Sequence, residues 1–404
     1  MIYDLLLPSK IIFGVGRRAE SGQLIRQIAR RAIVISGSRK LQDNGLLSEI
    51  INGLESSGVT VIASQTISRE PTTTDVDNFT LNFRTKINFD NNLDDLIIIA
   101  IGGGAAIDLA KSVAAMIPQQ NGESESTIKN YLEGVGTGLK LTTQPLLVAA
   151  IPTTAGTGAE ATKNAVISSS DSDVTAGFKP FKKSLRDEKL LPRLIIIDPE
   201  LTLSCPKKIT AESGMDAVTQ LFESYVSKRR QPFTDALIEQ GLLLAFEALP
   251  KLNDNPNDIE SRCKMSHAAL LSGISLANAG LGMAHGIAPA LGIYCGVTHG
   301  AACALLLPTT LKVNADVCEE KYARLGRLIL KLDQNVSNKI ATKELIEHVE
   351  LLCDQLEVSR KLSDLNIDKN MIPTIAKNSK GSSMSGNPKD LSEQDVVEIL
   401  KSIE

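Results

Sequence analysis

The sequence predicts an α/β fold in two parts, an N-terminal domain built on a doubly wound parallel sheet and an all-α C-terminal domain. Up to about residue 200, short β-branched runs alternate with segments of helical periodicity. Beyond residue 208 the strand-like runs stop and long helical patterns take over. Two of the strand-like runs end in loops rich in glycine and threonine, which is typical of open α/β sheets that bind ligands at their strand ends.

The N-terminal half contains five runs that suit buried strands. They are RAIVIS at 31–36, VTVIAS at 59–64, DLIIIAIGGG at 95–104, LLVAAIPTT at 146–154 and LIIIDPE at 194–200. Continuously apolar strands are typical of a parallel sheet that helices cover on both faces. Segments such as LLSEIINGLESSG at 46–58 supply the helical period between them. We therefore predict one α/β domain over residues 1–202.

The C-terminal half has only helical patterns. Examples are DAVTQLFESYVSK, PFTDALIEQGLLLAFEALPKL and EEKYARLGRLILKL, in which apolar residues recur at helical spacing. We predict an all-helical domain over residues 203–404.

Composition argues against a nucleic-acid partner. The 404 residues include 43 Lys and Arg against 47 Asp and Glu, for a formal net charge of −4, and contain no Trp, five Tyr and nine Phe. A nucleic-acid binder normally shows a basic stripe and aromatic residues on which bases stack.

A cytoplasmic protein without a membrane partner is expected. The opening MIYDLLLPSKIIFG lacks the basic and long apolar regions of a secretory signal, and no run approaches the ~20 consecutive apolar residues that span a bilayer. The six cysteines show no C-x-x-C spacing. They suit reduced thiols that fill the core better than metal ligands.

The segment IIIAIGGGAAIDLAKSVA places Gly102, Gly103 and Gly104 between a buried strand and a helix. Glycine lets backbone amides approach a phosphate, and the N-terminus of the helix attracts its charge. A pyrophosphate site is one interpretation, and a tight turn without a ligand is the other. Asp108 lies one turn into the helix, where an acidic residue is also favoured by the helix dipole alone.

A second loop, IPTTAGTGAEATKNAV at 151–166, repeats this arrangement. The hydroxyls of Thr153, Thr154 and Thr157 can donate to phosphate or ribose oxygens, although a simple Gly/Thr turn also fits. Two such loops at strand ends of one sheet are more specific than either alone, and they predict a bound dinucleotide.

The loop after the run RAIVIS concerns the choice of cofactor. Domains that prefer NAD tend to place an acidic residue there to bind the 2′-hydroxyl. In AIVISGSRKLQDNG that place holds Gly37, Ser38, Arg39 and Lys40. A hydroxyl and two cations suit the 2′-phosphate of NADP, whereas solvated loop cations are the alternative.

Two histidines form a candidate metal site. Of only four histidines, His285 and His299 lie fourteen positions apart in the largely apolar run GLGMAHGIAPALGIYCGVTHG. A straight helix would separate them by ~21 Å, so the chain must turn between them. The residues Pro289, Gly292 and Gly296 would break the helix.

A third ligand is available in SGMDAVTQLFESYVS, where Asp216 and Gln220 share one helical face. Asp with two His is a common catalytic site for a divalent ion. Hydrogen-bonded core histidines are the alternative interpretation. The remaining histidines, His267 and His348, have no partner motif and are predicted to be structural.

Five motifs in order resemble the iron-containing, group III alcohol dehydrogenases, relatives of glycerol dehydrogenase and dehydroquinate synthase. They are GGGAAIDLAK, IPTTAGTGAEAT, IIIDPELT, SGMDAVTQLFESYVS and GLGMAHGIAPALGIYCGVTHGAACALLLP. The resemblance implies the same fold, with an active site in the cleft between its domains. It further implies which residues contact the cofactor, namely Gly102, Gly103, Gly104, Thr153, Thr154 and Lys182. Asp108 would lie near the nicotinamide end of the cofactor. The implied metal ligands are Asp216, His285 and His299.

Three positions depart from the family pattern. The usual histidine ligand four residues after the aspartate is Gln220, the histidine often found four residues after the first loop ligand is Pro289, and the usual serine after the glycines is Ala105. An amide oxygen at Gln220 would favour hard cations. Proline at 289 removes a proton shuttle, so the alcohol proton would leave through water or ribose hydroxyls.

We therefore predict a homodimeric oxidoreductase that transfers a hydride between NADP or NAD and a small alcohol or aldehyde, aided by a divalent metal. Iron, zinc or another ion would be held by Asp216, Gln220, His285 and His299. Alternatives are a metal-independent reductase of the maleylacetate reductase type, a lyase like dehydroquinate synthase, and a non-catalytic nucleotide-binding module.

Overall fold

The chain forms two compact units in a computed structural model that describes residues 2–37, 39–87, 93–119 and 127–404. The α/β unit comprises residues 6–154 and 159–204, and the helical unit comprises residues 1–5, 155–158 and 205–404. The predicted fold class is confirmed, since the first unit carries a parallel sheet and the second is helical.

The α/β unit is built on six parallel strands in the order β1-β8-β5-β4-β2-β3, with β6 and β7 forming a separate antiparallel pair. The strands are β1 (Ile11–Phe13), β2 (Arg31–Ser36), β3 (Thr60–Thr66), β4 (Leu96–Gly102), β5 (Leu147–Pro152), β6 (Asn164–Ser168), β7 (Lys182–Arg186) and β8 (Leu194–Ile197). All seven residues of β4 are buried, which explains why its sequence shows no polar face. All five predicted runs are strands, whereas β1, β6 and β7 were not predicted because they are short or rich in polar residues.

Helices cover both faces of the sheet. The helices of this unit are α1 (Ser21–Arg26), α2 (Arg39–Asp43), α3 (Leu46–Ser56), α4 (Thr73–Arg84), α5 (Gly104–Met116) and α6 (Asp171–Thr175). Side chains of a strand alternate between faces, so Ile98 enters the core formed with α4 and α5, while Ile97 and Ile99 enter the core formed with α1 and α3. This two-sided burial is the doubly wound arrangement that the sequence predicts.

The strand order reverses between β2 and β4. From β2 the chain proceeds outward to β3, returns to β4 on the other side of β2, and continues to β5 and β8. Ligands of open α/β sheets bind beyond the carboxyl ends of the strands at such a reversal. Gly37 follows β2 and Gly102 ends β4, so two of the predicted cofactor segments lie at this point.

The helical unit contains eight α-helices among its described residues. They are α7 (Lys207–Val226), α8 (Pro232–Asp254), α9 (Ile259–Ala279), α10 (Met283–Cys295), α11 (His299–Leu330), α12 (Asn338–Gln355), α13 (Ile372–Lys377) and α14 (Glu393–Lys401). Helix α7 is buried along nearly its whole length, from Thr210 to Val226. It packs against α8, α9 and α11, so its polar residues lie inside the unit.

The turn between the two predicted histidine ligands lies at one place rather than three. Pro289 and Gly292 are inside α10, which continues through the proline although proline cannot supply the usual backbone hydrogen bond. Gly296 ends the helix in the left-handed conformation, at φ 68°, which glycine adopts without steric cost. The chain then reverses, and α11 begins at His299.

Helix α11 has the length and composition that a bilayer-spanning helix needs, and the bent pair α9–α10 meets the same criteria when taken as one span. In the most apolar window of α11, 61% of the residues are buried within the protein. Apolar residues all round a helix are equally typical of the core of a large domain.

Candidate active site

Four side chains of the helical unit bring metal-ligating atoms together. Asp216 comes from α7, His285 from α10, and His299 and Cys303 from the first turns of α11. Their ligand atoms all lie within 4.8 Å of one another. The structure therefore unites the three predicted ligands Asp216, His285 and His299, and it adds a cysteine that the sequence analysis assigned to the core.

Close packing of α11 on α7 makes this meeting possible. A Cβ atom on Gly300 would lie 2.6 Å from the carbonyl oxygen of Glu212, so the backbones of the two helices touch where α11 begins. The hydroxyl of Thr298, just before the helix, donates to the Glu212 carboxylate at 2.8 Å. Glu212 lies one turn before Asp216, so these contacts bring His299 to the level of the aspartate.

The distances between donor atoms suit one tetrahedral ion. His285 Nε2 and His299 Nε2 lie 3.1 and 3.8 Å from Asp216 Oδ1, and Cys303 Sγ lies 3.6 and 3.8 Å from the same two nitrogens. Metal–ligand bonds of zinc measure ~2.0–2.3 Å, which places neighbouring donors of a tetrahedron roughly 3.3–3.6 Å apart. The residues present therefore fit a divalent cation.

Glu223 determines how His285 faces the centre of this cluster. Its carboxylate lies 2.7 Å from His285 Nδ1 and also accepts from the backbone amide of Ala284 at 2.6 Å. A proton on Nδ1 leaves the lone pair of Nε2 directed at Asp216 Oδ1, which is itself an acceptor. Two acceptors 3.1 Å apart need a cation or an additional proton between them.

The ionisation of the buried groups agrees with this requirement for positive charge. Burial raises the pKa of Asp216, but the charges of His299 and His285 and the hydrogen bond from His285 outweigh burial and lower that pKa to about 2. Burial lowers the pKa of His285, but Cys303, Asp216 and Glu223 outweigh burial and raise it well above its usual value. The cluster is thus an anionic pocket that retains a proton when no metal ion replaces it.

The cluster is more exposed at one ligand than at the others. The side chain of His299 is 27% exposed, compared with 6% for His285 and 2% for Asp216. The cluster is therefore most accessible to solvent on the His299 side.

Gln220 makes hydrogen bonds with neighbours in its own unit. Its Oε1 accepts from the hydroxyl of Ser272 at 2.8 Å, and its Nε2 donates to the carbonyl of Thr157 at 3.2 Å. The amide would have to share or give up the bond from Ser272 in order to ligate a metal.

In the α/β unit the predicted cofactor glycines lie in close contact. A Cβ atom on Gly102 would lie 2.7 Å from Ala106 Cβ and 2.8 Å from Gly37 Cα, and one on Gly103 would lie 3.1 Å from Thr154 Oγ1. The backbone amide of Thr153 donates to the carbonyl of Gly102 at 3.1 Å. The ends of strands β2, β4 and β5 therefore lie close together, and side chains in place of these glycines would block access to the backbone there.

The N-terminus of α5 starts at Gly104 and carries no side-chain cap. Because no side chain caps the helix, its first backbone amides, including that of Gly104, can donate hydrogen bonds to a bound anion. Asp108 lies one turn further on, and burial raises its pKa, against the opposing charges of Lys111 and Lys182. Lys182 pairs with Glu70 at 2.7 Å.

The segment predicted to select NADP is only partly described. Gly37 donates its amide to the carbonyl of Ile101 at 2.8 Å, and Lys40 is exposed in α2. Ser38 and the side chain of Arg39 lie outside the described residues. Thr157 belongs to the helical unit, where its carbonyl receives the amide of Gln220.

Comparison with known proteins identifies the family. Residues 8–199 match the profile described as iron-containing alcohol dehydrogenase, and residues 210–403 match the profile described as Fe-containing alcohol dehydrogenase family, C-terminal. The chain belongs to the iron-containing alcohol dehydrogenase family. The resemblance in five motifs is thereby confirmed.

Curated proteins are similar to this chain along its whole length. The NAD-dependent methanol dehydrogenase of Bacillus methanolicus is 29% identical over 400 residues, covering 98% of this chain and 99% of its own. The NADPH-dependent butanol dehydrogenase of Clostridium saccharobutylicum is 28% identical over 402 residues, covering 98% and 97%.

Solved structures share the fold of this chain. The crystal structure of 1,3-propanediol oxidoreductase has a TM-score of 0.88 at 25% identity, and alcohol dehydrogenase from Oenococcus oeni has 0.87 at 27% identity, with both covering 100% of each chain. The protein is an NAD(P)-dependent alcohol dehydrogenase, an oxidoreductase that acts on CH–OH groups.

Two residues in or beside the cluster of metal-ligating side chains in this iron-containing alcohol dehydrogenase were missed by sequence reasoning. Glu223 follows Asp216 by two helical turns, and an acidic residue at that spacing in a buried helix is a detectable signal. Cys303 follows His299 by four residues, which places both on one helical face. A cysteine without C-x-x-C spacing nevertheless looks like an ordinary core residue.

A third missed residue, Lys111, is structural in the α/β unit of this family member. It is completely buried, and its Nζ donates to the carbonyls of Ala159, Thr162 and Asn164. These bonds tie helix α5 to the second half of the loop segment 151–166.

Proposed function

We propose that this alcohol dehydrogenase requires a divalent metal ion held by Asp216, His285 and His299. The observation that carries the proposal is the pair of acceptors, His285 Nε2 and Asp216 Oδ1, which face each other at 3.1 Å while Glu223 occupies the Nδ1 side. A bound divalent ion supplies Lewis acidity toward the oxygen of an alcohol or aldehyde. The ion would be iron, zinc or another divalent metal, and the chemistry of the ligating atoms contributes to that choice.

The protein's own residues would prepare this site. Glu223 holds the proton of His285 at Nδ1, so that Nε2 stays available as a ligand. Asp216 contributes a permanent negative charge from a buried position. His299, the exposed member, borders the side from which the substrate would enter. With proline at position 289, the alcohol proton would leave through water or a cofactor hydroxyl.

The cofactor is proposed to bind the α/β unit at the reversal of the sheet. Backbone amides of Gly103 and Gly104 at the start of α5 would receive the pyrophosphate, and the hydroxyls of Thr153 and Thr154 would donate to phosphate or ribose oxygens. The close contacts of Gly37, Gly102 and Gly103 support this, because only glycine leaves that backbone accessible. Asp108, Thr157 and Lys182 are further proposed contacts.

Short primary alcohols and their aldehydes are the proposed substrates. This is supported by relatives named for methanol, 1-propanol, 1,3-propanediol and butanol. A cytoplasmic location is supported by the six cysteines, none of which forms a disulfide. A homodimer is likewise proposed, and light scattering of the purified protein tests it.

The experiment combines metal analysis with turnover. Protein stripped with a chelator should lose NAD(P)H production from C1–C4 alcohols and regain it when one divalent ion per chain is restored. His299→Ala should remove activity while titration by cofactor fluorescence remains nearly unchanged, because the proposed ligands and the phosphate loops belong to different units. Full turnover by protein without metal would contradict the proposal and favour a metal-independent reductase.

A preference for NADP is proposed from Gly37, Ser38, Arg39 and Lys40. Charge-assisted hydrogen bonds to a 2′-phosphate contribute ~1.5–3 kcal/mol each. Replacing Arg39 and Lys40 together by Ala should therefore lower kcat/KM with NADP at least tenfold and leave kcat/KM with NAD nearly constant. Equal use of both cofactors by wild type and variant contradicts the preference.

A further inference from the structure

We propose that Cys303 is the fourth protein ligand of the metal centre, in the place that Gln220 leaves, and that its thiolate makes the site selective for a thiophilic ion such as Zn²⁺. The inference deepens the proposed function, because it concerns the same site. With four protein ligands, a substrate oxygen would enter as a fifth ligand, from the more exposed side of the cluster at His299. It does not follow from the family pattern, in which the fourth ligand is the histidine that this chain lacks.

The position of Cys303 is that of a ligand. Its Sγ lies 3.6 Å from His285 Nε2 and 3.8 Å from His299 Nε2. A sulfur and a nitrogen bound to one tetrahedral zinc ion lie about 3.5 Å apart. The residue is completely buried, and its spacing of four residues from His299 places both side chains on the inward face of α11.

Gln220 provides the second, independent observation. Its amide oxygen accepts from Ser272, and its amide nitrogen donates to Thr157. Both polar ends of the side chain are therefore used to join α7 with α9 and with the segment 155–158. The residue at the family's ligand position serves packing, while a stronger ligand for zinc is available one turn into α11.

The charges balance with Cys303 in this role. When a divalent cation binds, the thiol releases its proton to solvent, and the sulfur lone pair forms the bond to the ion. The carboxylate of Asp216 and the thiolate of Cys303 then supply two negative charges against the two positive charges of the ion, with His285 and His299 neutral. The buried carboxylate of Glu223 adds one further negative charge, which the hydrogen bonds from His285 Nδ1 and from the amide of Ala284 stabilise.

Selectivity follows from the softness of sulfur. Thiolate favours zinc and cobalt over manganese and magnesium, whereas carboxylate and amide oxygens favour the harder ions. Replacing Cys303 by Ala should reduce Zn²⁺ affinity by more than the roughly 10–100-fold that loss of an outer-shell partner costs. Affinity for Mn²⁺ should change less than tenfold.

Cobalt spectroscopy tests the bond itself. Apo-protein is titrated with Co²⁺, and the near-ultraviolet thiolate-to-cobalt charge-transfer band is recorded for wild type, Cys303→Ser and Cys303→Ala. Cys318→Ser is the matched control, since Cys318 is also a buried cysteine of α11, about four turns from Cys303. We expect the band in wild type and control and its loss in both Cys303 variants.

A measurement on wild type alone covers the case in which the variants do not fold. X-ray absorption at the zinc edge of zinc-loaded protein should show one sulfur ligand at ~2.3 Å. Four results would overturn the role of Cys303. Two concern wild type and cobalt: no binding of cobalt, or binding without the charge-transfer band. The others are a band that persists in Cys303→Ser and a zinc coordination shell without sulfur.

Alcohol oxidation is measured in parallel, so that failure of the inference is distinguished from failure of the proposed function. Metal-dependent turnover without a sulfur ligand would leave the proposed function intact and remove Cys303 from the site. A sulfur ligand without metal-dependent turnover would support Cys303 and contradict the proposed catalytic role of the ion.

Discussion

The carboxylate of Glu223 gives His285 its orientation at the residue scale. It holds the Nδ1 side of the ring at 2.7 Å and is anchored by the backbone amide of Ala284 at 2.6 Å. Without that anchor the ring is free to change tautomer, and its Nε2 lone pair no longer points to Asp216 in every molecule. The geometry of the whole cluster therefore depends on a residue that does not touch the proposed ion.

Glu223→Gln should weaken metal binding. The amide oxygen can still accept a hydrogen bond from His285 Nδ1 but carries no charge to compensate that of the ion, so we expect Zn²⁺ affinity to fall roughly 10–100-fold. Competition with a chromophoric chelator measures the affinity. Glu239→Gln, which alters an ion pair with Arg324 in the same unit, serves as the control. Equal affinities of wild type and Glu223→Gln would show that Glu223 has no part in metal binding.

Gln220→His should act differently in two backgrounds. In wild type the substitution removes two hydrogen bonds, each with a net contribution of ~1 kcal/mol, so the free energy of unfolding should fall while Zn²⁺ affinity rises less than tenfold. In Cys303→Ala the new imidazole should restore most of the lost affinity, because it occupies the same helical face as Asp216. A large rise in affinity in wild type would mean that the fourth position is open there.

At the scale of elements, the contact between strand ends β2 and β4 determines where a phosphate can approach. The two ends run side by side, with Ser36 paired to Ile101, and their glycines continue the contact into the loops. The helix that follows β4 then begins with uncapped amides. A strand, a glycine turn and a helix N-terminus thus combine into one anion-binding element.

Gly102→Ala should destabilise the α/β unit by about 1–3 kcal/mol, the usual cost of overpacking, because the new methyl would lie 2.8 Å from Gly37 Cα. Gly53→Ala in α3 should instead stabilise by about 0.5–1 kcal/mol, since a Cβ there meets no atom within 4 Å and alanine favours the helix. Urea unfolding measures both. If the two substitutions change stability in the same direction, the close approach of β2 and β4 is not a rigid constraint.

Burial of charge inside the α/β unit affects stability of the whole molecule. The ammonium of Lys111 and the carboxyl of Glu160 are both inaccessible to solvent or nearly so. Burial raises the pKa of Glu160 from its ordinary 4.5 to about 7, although its own backbone hydrogen bond and the charge of Lys111 act in the opposite direction. Glu160 therefore binds its proton more tightly in the folded than in the unfolded chain.

Stability should accordingly fall as pH rises from about 4.5 to about 7. Between these values the folded state binds more protons than the unfolded state, so the free energy of unfolding decreases with pH by on the order of 3 kcal/mol and then levels off. Glu160→Gln should remove this part of the pH dependence, and urea unfolding of both proteins at pH 5 and pH 8 measures it. An unchanged difference between the two pH values in the variant would assign the effect to other groups.

Several features were predictable from sequence because they depend on local pattern. The run RAIVIS coincides with β2 and LLSEIINGLESSG contains α3, since burial on two faces or on one stripe imposes its own periodicity. The glycine loops were recognisable for a similar reason, because backbone that must approach its neighbours closely excludes side chains. The three-residue edge strand β1 and the polar pair β6–β7 lack such a pattern and were missed.

The sequence by itself determined the layers of the fold, the two glycine loops and the histidine pair, because each depends on residues that are close in sequence or on a single hydrophobic periodicity. Tertiary structure decided which side chains meet. Asp216 and His285 are 69 residues apart in the chain, and only the packing of α7, α10 and α11 brings them within reach of Cys303. Tertiary structure likewise decided that the amide of Gln220 forms hydrogen bonds with Ser272 and Thr157. No local pattern identifies these partners, because hydrogen bonds depend on distances between atoms and not on spacing along the sequence.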